Sequence, residues 1–77
     1  MSPREAHIVP ARDGGWEVVV PGDDRAASRH SSQREAAKWA RSFLRRSGGG
    51  EAVIHGTDGT IRDSDRVESA PIPVKTR

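Results

Sequence analysis

Five cations in the middle of the chain are the residues whose type and spacing point most directly to a ligand. Four of them recur at intervals of four, three and four residues, so a helix would place them on one face, and a fifth adds charge beside them. The five are Arg34, Lys38, Arg41, Arg45 and Arg46. Glu35 is the only carboxylate in the same segment, 32–46. Such a row of positive groups on a rigid helix can contact successive phosphates of a nucleic acid or another polyanion, although solvated helix faces are also usually charged.

Three histidines are the next candidates for metal binding or proton exchange. They are His7, His30 and His55, their spacing matches no ligand motif, and the chain contains no cysteine to join them. The pattern therefore favours structural roles, and His7 and His55 are candidates for neighbours on adjacent strands. We expect no metal and no cofactor.

Two other constellations resemble ligand sites only superficially. Asp58, Asp63 and Asp65 lack the alternating carboxylates and central glycine of a calcium loop, and Gly59 after Asp58 is typical of a hairpin turn. The run 48–50 is all glycine, but it follows a helix, whereas phosphate loops precede one. Because no nucleophile elbow or pair of adjacent carboxylates is present either, we expect a protein that is not an enzyme.

A single helix must hold the cations in place. Ser32 followed by Glu35 fits a capping box, and the glycine run ends the helix, so its bounds are predicted at about Ser32 and Arg46. Its apolar residues recur at intervals of three and four and form a face that must pack on something apolar. These residues are Ala36, Trp39, Ala40 and Phe43.

Five strands are predicted around this helix from apolar content, alternation and turn residues. They cover 5–10, 15–20, 25–30, 51–55 and 60–62. Together they predict an α+β fold in the order β-β-β-α-β-β, with one antiparallel sheet and the helix packed on one of its faces. The sheet residues expected to meet the helix are Trp16, Val18, Val20, Val53 or Ile54, and Ile61.

Length and composition set the remaining expectations. With 77 residues, of which 32% are hydrophobic, the chain predicts one small domain at 1–65 and a polar, flexible tail at 66–77. A core of this size gives a stability of only about 3–5 kcal/mol, and a homodimer is one way to add to it. The formal net charge is only +2, so its distribution says more than its sum. No secretory leader and no stretch of roughly 20 apolar residues is visible, so we expect a cytoplasmic protein without membrane contact.

Several motifs resemble one known family. The pieces HIVP, DGGW, RAASRHSSQREAAKWAR and VIHGTDGTIRDSD, spread over residues 7–65, look like a family of short bacterial and phage proteins known as a domain of unknown function, number twenty-one eighty-eight. The block from Val53 to Asp65 is the most specific of these pieces. The resemblance implies a small α+β fold, and it implies no activity, cofactor or site.

A second resemblance covers residues 7–46. Three short strands and a helix that opens RHSSQREAAKWAR are similar to the arm-binding domain of tyrosine-type phage integrases, which lay their sheet in the major groove of DNA. The matching positions, Ala36 and Trp39, imply packing of helix on sheet rather than base contacts. The hairpin predicted at 51–62 departs from that domain, so the resemblance supports nucleic-acid binding only by analogy.

These observations leave three classes of function, in order of preference. The first is a non-enzymatic interaction module that binds nucleic acid or another polyanion through the helix cations, without sequence specificity and with a strong salt dependence. The second is a protein–protein module with no nucleic-acid role, which forms a homodimer through an exposed sheet edge. The third is a hydrolase or nuclease that uses one of the three histidines.

Overall fold

The computed structural model describes residues 4–69 of the chain. The described part holds one helix and five strands in the predicted order, which confirms the α+β fold. The elements are β1 (Arg4–Pro10), β2 (Trp16–Val19), β3 (Ser28–His30), α1 (Gln33–Arg46), β4 (Gly50–His55) and β5 (Ile61–Val67).

The five strands form one mixed sheet in the order β3-β2-β1-β4-β5. Three of its four strand pairs are antiparallel, but β1 and β4 run parallel, so the prediction of a purely antiparallel sheet is wrong at this pair. The cause is the crossover. Strand β3 runs in the same direction as β1, and the 14-residue helix carries the chain back across one face. Strand β4 therefore starts at the same end as β1 and pairs beside it, as a helical crossover allows.

The register divides the sheet into a face covered by α1 and an open face. Ala6 and Ile8 of β1 lie beside Ala52 and Ile54 of β4, and Val18 of β2 lies on the other side of Ile8. Because side chains alternate along a strand, these residues share the helix side of the sheet. The fully buried residues of this core are Ala6, Ile8, Val18, Ala36, Ala40, Leu44 and Ala52.

The ends of α1 form as the sequence predicts. The Ser32 side chain accepts a hydrogen bond from the Glu35 backbone N–H at 3.1 Å, which satisfies one of the free donors of the first turn. After the helix, the Gly49 N–H donates to the Leu44 carbonyl at 2.7 Å. Gly50 is the first residue of β4. Its Cα lies so close to the Arg4 carbonyl that a Cβ atom would clash with the carbonyl oxygen.

The core differs from the predicted one at both aromatic and aliphatic positions. Leu44 is fully buried and Ala37 is nearly so, whereas Trp39 and Phe43 are only partly buried and stack on each other with 5.4 Å between ring centroids. The face that α1 turns to the sheet is therefore rotated toward Ala37 and Leu44. Ile61, predicted to be in the core, is 66% exposed, because the register shift after Ile54 places it opposite His55 on the open face of the sheet.

The last strand is longer than the predicted 60–62. It continues to Val67, which is buried and belongs to the core cluster. Residues 66 and 67, predicted to start the tail, therefore pair with β4, where Arg66 lies opposite Glu51 and Val67 opposite Gly50. Most of the predicted tail, residues 70–77, lies outside the described residues.

Candidate polyanion-binding surface

The helix presents its cations on the side away from the sheet. Arg34, Lys38, Arg45 and Arg46 are exposed, while Arg41 is partly buried between α1 and β5. We define the basic stripe as Arg34, Lys38, Arg41 and Arg45. At a rise of about 1.5 Å per residue, the stripe runs about 16 Å along the helix axis, with a cation roughly every 5–6 Å.

The spacing alone predicts that the stripe lies diametrically opposite the core. In the structure it does not. Because the buried positions include Ala37 and Leu44, the stripe lies on the flank of α1 that borders β5. Arg46 comes three residues after Phe43 and seven after Trp39, so helical spacing puts it on the other flank, beside the aromatic pair. The structure therefore brings four of the predicted site residues together and separates the fifth from them.

Arg41 is the one member of the stripe that the protein's own carboxylates engage. Its Nε and Nη2 atoms both lie 3.0 Å from Asp65 Oδ2. Asp65 pairs with the buried Ala52 across the β4–β5 ladder, so its side chain lies on the helix side of the edge strand. The two side chains remain 43% and 49% exposed, so the ion pair is a surface interaction.

The other helix cations form no ion pair in the described part of the chain. All eleven acidic residues of the protein lie between Glu5 and Glu68, inside the described range, so every carboxylate side chain is accounted for. Outside the helix, Arg29 donates to Glu17 at 2.9 Å and lies 3.7 Å from Asp13, whereas the other five described arginines off the helix form no ion pair. Unpaired cations therefore occur both on and off α1 in the described residues, but this one 14-residue helix holds four of them.

Strand β5 adds cations that the sequence analysis did not assign to this surface. The Arg62 Nη1 atom donates to Gln33 Oε1 at 3.2 Å, which places a guanidinium beside the first turn of α1. Arg66 also lines a shallow depression with Arg41 and Arg45, but alternation along β5 directs its side chain to the open face of the sheet. No local sequence signal could have found these residues, because their position depends on how β5 packs beside the helix.

The same strand also limits the surface. Asp63 pairs with Ile54 and Asp65 with Ala52, so both carboxylates project toward the helix side of β5. Glu68 also lines the depression beside Arg41 and Arg45. A polyanion that approaches over β5 would meet these carboxylates, whereas one that approaches the outer side of α1 would meet only Glu35.

The histidines fall into two separate groups. His7 Nδ1 and His55 Nε2 lie 3.0 Å apart on the open face, which confirms that these residues are neighbours. His30 instead contacts Ser28 Oγ at 2.8 Å and lies 6.1 Å, centroid to centroid, from Trp39. Residues 4–69 contain no cluster of three or more His, Asp or Glu side chains placed to hold a metal ion.

The Asp58 turn has the structural role expected of it. The Thr60 hydroxyl donates to Asp58 Oδ1 at 2.8 Å and the Thr60 N–H donates to the same atom at 3.1 Å. These two hydrogen bonds stabilise the carboxylate and lower the pKa of Asp58 below its ordinary value. The carboxylate thus closes the β4–β5 hairpin turn.

Fold and surface together define a small α+β domain, with a mixed five-stranded sheet, one covering helix and a row of cations on that helix. The family model described as an uncharacterized protein conserved in bacteria, DUF2188, matches residues 6–67. The chain therefore belongs to this family, as its motifs predict. No curated protein and no solved structure matches it. In the described residues, no helix has the length and apolar character needed to cross a bilayer.

Proposed function

We propose that this protein is a non-enzymatic module that binds nucleic acid, or a polyanion of similar charge density, through the outer surface of α1. The contacts are made by Arg34, Lys38 and Arg45, with Arg46 at the other flank. Arg41 belongs to the same stripe, but its charge is partly neutralised by Asp65. Binding is directed at phosphates and is therefore independent of base sequence.

The observation that carries the proposal is the density of unpaired cations on one 14-residue helix. Arg29 and Arg41 have carboxylate partners, but the four exposed cations of α1 have none among the protein's own acidic residues. Unpaired like charges on one helix repel each other and cost stability, so a binding role gives a reason for their accumulation there. Glutamates at the intervening positions would have been the stabilising choice for a merely solvated face.

The competing proposal, a homodimer joined through a sheet edge, has less support. The long edge strand is β5, which carries Arg62, Asp63, Asp65 and Arg66. Charged side chains along an edge oppose pairing with a second strand. The opposite edge, β3, has only three residues. Light scattering that shows a stable dimer at micromolar concentration would favour this second proposal.

The test is a salt series measured by fluorescence anisotropy with labelled duplex DNA, duplex RNA and single-stranded DNA. Three to four phosphate contacts predict a slope of about −3 to −4 for log K against log salt on duplex DNA. Polyglutamate and heparin as competitors distinguish nucleic acid from polyanions in general. Absence of binding to any of these probes at about 20 mM salt, where the Debye length exceeds 20 Å, would overturn the proposal.

Two double variants make the test specific to the helix. Lys38→Glu with Arg45→Glu reverses two charges of the stripe and should reduce the slope by about 2. Arg12→Glu with Arg25→Glu makes the same change of net charge in the exposed turns on either side of β2 and should alter the slope by much less. Equal loss in both variants would mean that only overall charge matters, which contradicts a site on α1.

A further inference from the structure

A second polar cluster, on the open face of the sheet, has no part in the proposed polyanion surface. Glu5 Oε1 lies 2.9 Å from His7 Nε2, His7 Nδ1 lies 3.0 Å from His55 Nε2, and His55 Nδ1 lies 3.0 Å from the Gly59 carbonyl oxygen. The contacts form a single chain that links β1, β4 and the turn after β4. Every ring nitrogen of both histidines is used, so none is left open to act on a substrate.

The chemistry of the two ends determines where the protons lie. A carbonyl oxygen only accepts, so His55 Nδ1 carries a hydrogen that it donates to Gly59. An ionised carboxylate also only accepts, so His7 Nε2 carries a hydrogen that it donates to Glu5. One more hydrogen lies between His7 Nδ1 and His55 Nε2. The chain of hydrogen bonds is therefore complete when the two rings hold three protons, one more than two neutral rings hold.

A fourth proton is incompatible with this geometry. Both facing nitrogens would then carry hydrogens at a separation of 3.0 Å, and two donors cannot bond to each other. The His7–His55 contact must open in that state. Removal of the third proton also breaks one hydrogen bond, since two acceptors then face each other at either the His7–His55 or the Glu5–His7 contact.

The position of His55 gives this opening a structural consequence. His55 follows a register shift in the β4–β5 ladder and directly precedes the turn 56–60. Its backbone carbonyl accepts from Gln33 Nε2 at 3.1 Å on the helix side, while its ring is held by His7 on the open side. His55, at the base of the hairpin, is thus held by a hydrogen bond on each face of the sheet. Only the His7–His55 contact on the open face depends on the protonation of the rings.

The charged neighbours of the pair are fixed by the register. Glu51 pairs with Glu5 on one side and with Arg66 on the other, and Glu17 of β2 is paired with Arg29. The turn contributes Asp58, which Thr60 holds by two hydrogen bonds. His7 itself is flanked by Val19 and Val53, so no cation stands directly beside it in the ladder.

We propose that Glu5, His7 and His55 form a proton-operated latch, which ties the turn 56–60 to β1 when the histidine pair holds three protons and releases this turn when the pair takes up a fourth, while the β1–β4 ladder stays paired. The release is expected on acidification, because uptake of the fourth proton puts hydrogens on both facing nitrogens. It is independent of whether the helix surface binds a polyanion.

The test combines ring-nitrogen NMR with amide hydrogen exchange on the full chain, between about pH 7.5 and about pH 5. In the closed state, we expect both nitrogens of His7 and only Nδ1 of His55 to carry hydrogens. On acidification, protonation of His55 Nε2 should coincide with faster exchange of the Gly56 N–H, which bonds to the Thr60 carbonyl. After correction for intrinsic rates, a loss of about tenfold in protection is expected, which corresponds to one net hydrogen bond.

Two variants separate the latch from general acid effects. His55→Gln keeps an acceptor for His7 and a donor for Gly59 but takes up no proton, so protection of Gly56 should stay constant with pH. His30→Gln removes the histidine outside the pair and should behave as the parent protein. The proposal is overturned if His7→Gln leaves the protonation of His55 unchanged, or if the Gly56 protection of the parent protein does not depend on pH.

Discussion

Substitution of Asp65 by asparagine should strengthen polyanion binding, because it removes the one carboxylate that pairs with the basic stripe. Asp65 holds the Nε and Nη2 atoms of Arg41 at 3.0 Å, and asparagine cannot neutralise the guanidinium. Arg41 then becomes available for one further phosphate contact, since its neighbours Lys38 and Arg45 already lie on the same surface.

The expected magnitudes follow from the exposure of the pair. With side chains 43% and 49% exposed, the Arg41–Asp65 interaction contributes about 0.2–1 kcal/mol to the free energy of unfolding, so Asp65→Asn should cost no more than that in urea denaturation. One added phosphate contact should make the slope of log K against log salt steeper by about 0.9. The affinity should rise by roughly threefold to tenfold at low salt, which corresponds to about 0.7–1.4 kcal/mol.

The assay is the anisotropy salt series with duplex DNA, and Asp24→Asn is the matched control. Asp24 lies in an exposed turn and makes no ion pair within residues 4–69, so its loss changes the net charge equally without releasing a cation. A slope and an affinity for Asp65→Asn that match those of Asp24→Asn would refute the idea that Arg41 belongs to the binding surface.

Three further predictions concern the fold. Leu44→Ala should lower the free energy of unfolding by about 2–5 kcal/mol in urea denaturation, because Leu44 is fully buried, whereas Ile61→Ala should change it by less than about 0.5 kcal/mol. Ser32→Ala should cost about 0.5–2 kcal/mol and lower the helical circular dichroism signal, because it removes the N-cap of α1; a change below 0.2 kcal/mol would contradict this. Thr60→Val should raise the pKa of Asp58 toward its ordinary value, as measured by carboxyl NMR. Because this pKa is lowered in the folded protein, the stabilisation it gives is present above the unfolded pKa of Asp58 and lost as the pH falls through the folded one, so the variant should lose less stability in acid.

Local patterns in the sequence were sufficient for most of the secondary structure. The Ser32 cap, the glycine stop after α1 and the alternation in β2 each involve residues close together in the chain. The parallel pairing of β1 with β4 was not predictable in this way, because it depends on the direction in which the crossover returns. The exposure of Ile61 was not predictable either, because it depends on the register shift that places Ile61 opposite His55.

The sequence predicted which helix positions form the candidate surface, but not which residues of other elements surround them. Spacing alone grouped Arg34, Lys38, Arg41 and Arg45 correctly on one side of α1. It could not show that this side borders β5, where Asp65 neutralises part of the charge and Arg62 extends it. The contact between His7 and His55 was anticipated, but the chain of hydrogen bonds from Glu5 to Gly59 requires coordinates.

The most direct test of the central claim is a map of chemical-shift changes on the labelled protein as duplex DNA is added. The account predicts that the amide and side-chain N–H signals of Arg34, Lys38 and Arg45 move in proportion to saturation, while those of Val19 and Val53, on the open face, stay in place. Changes concentrated on the open face, or no saturable change at low salt, would contradict it.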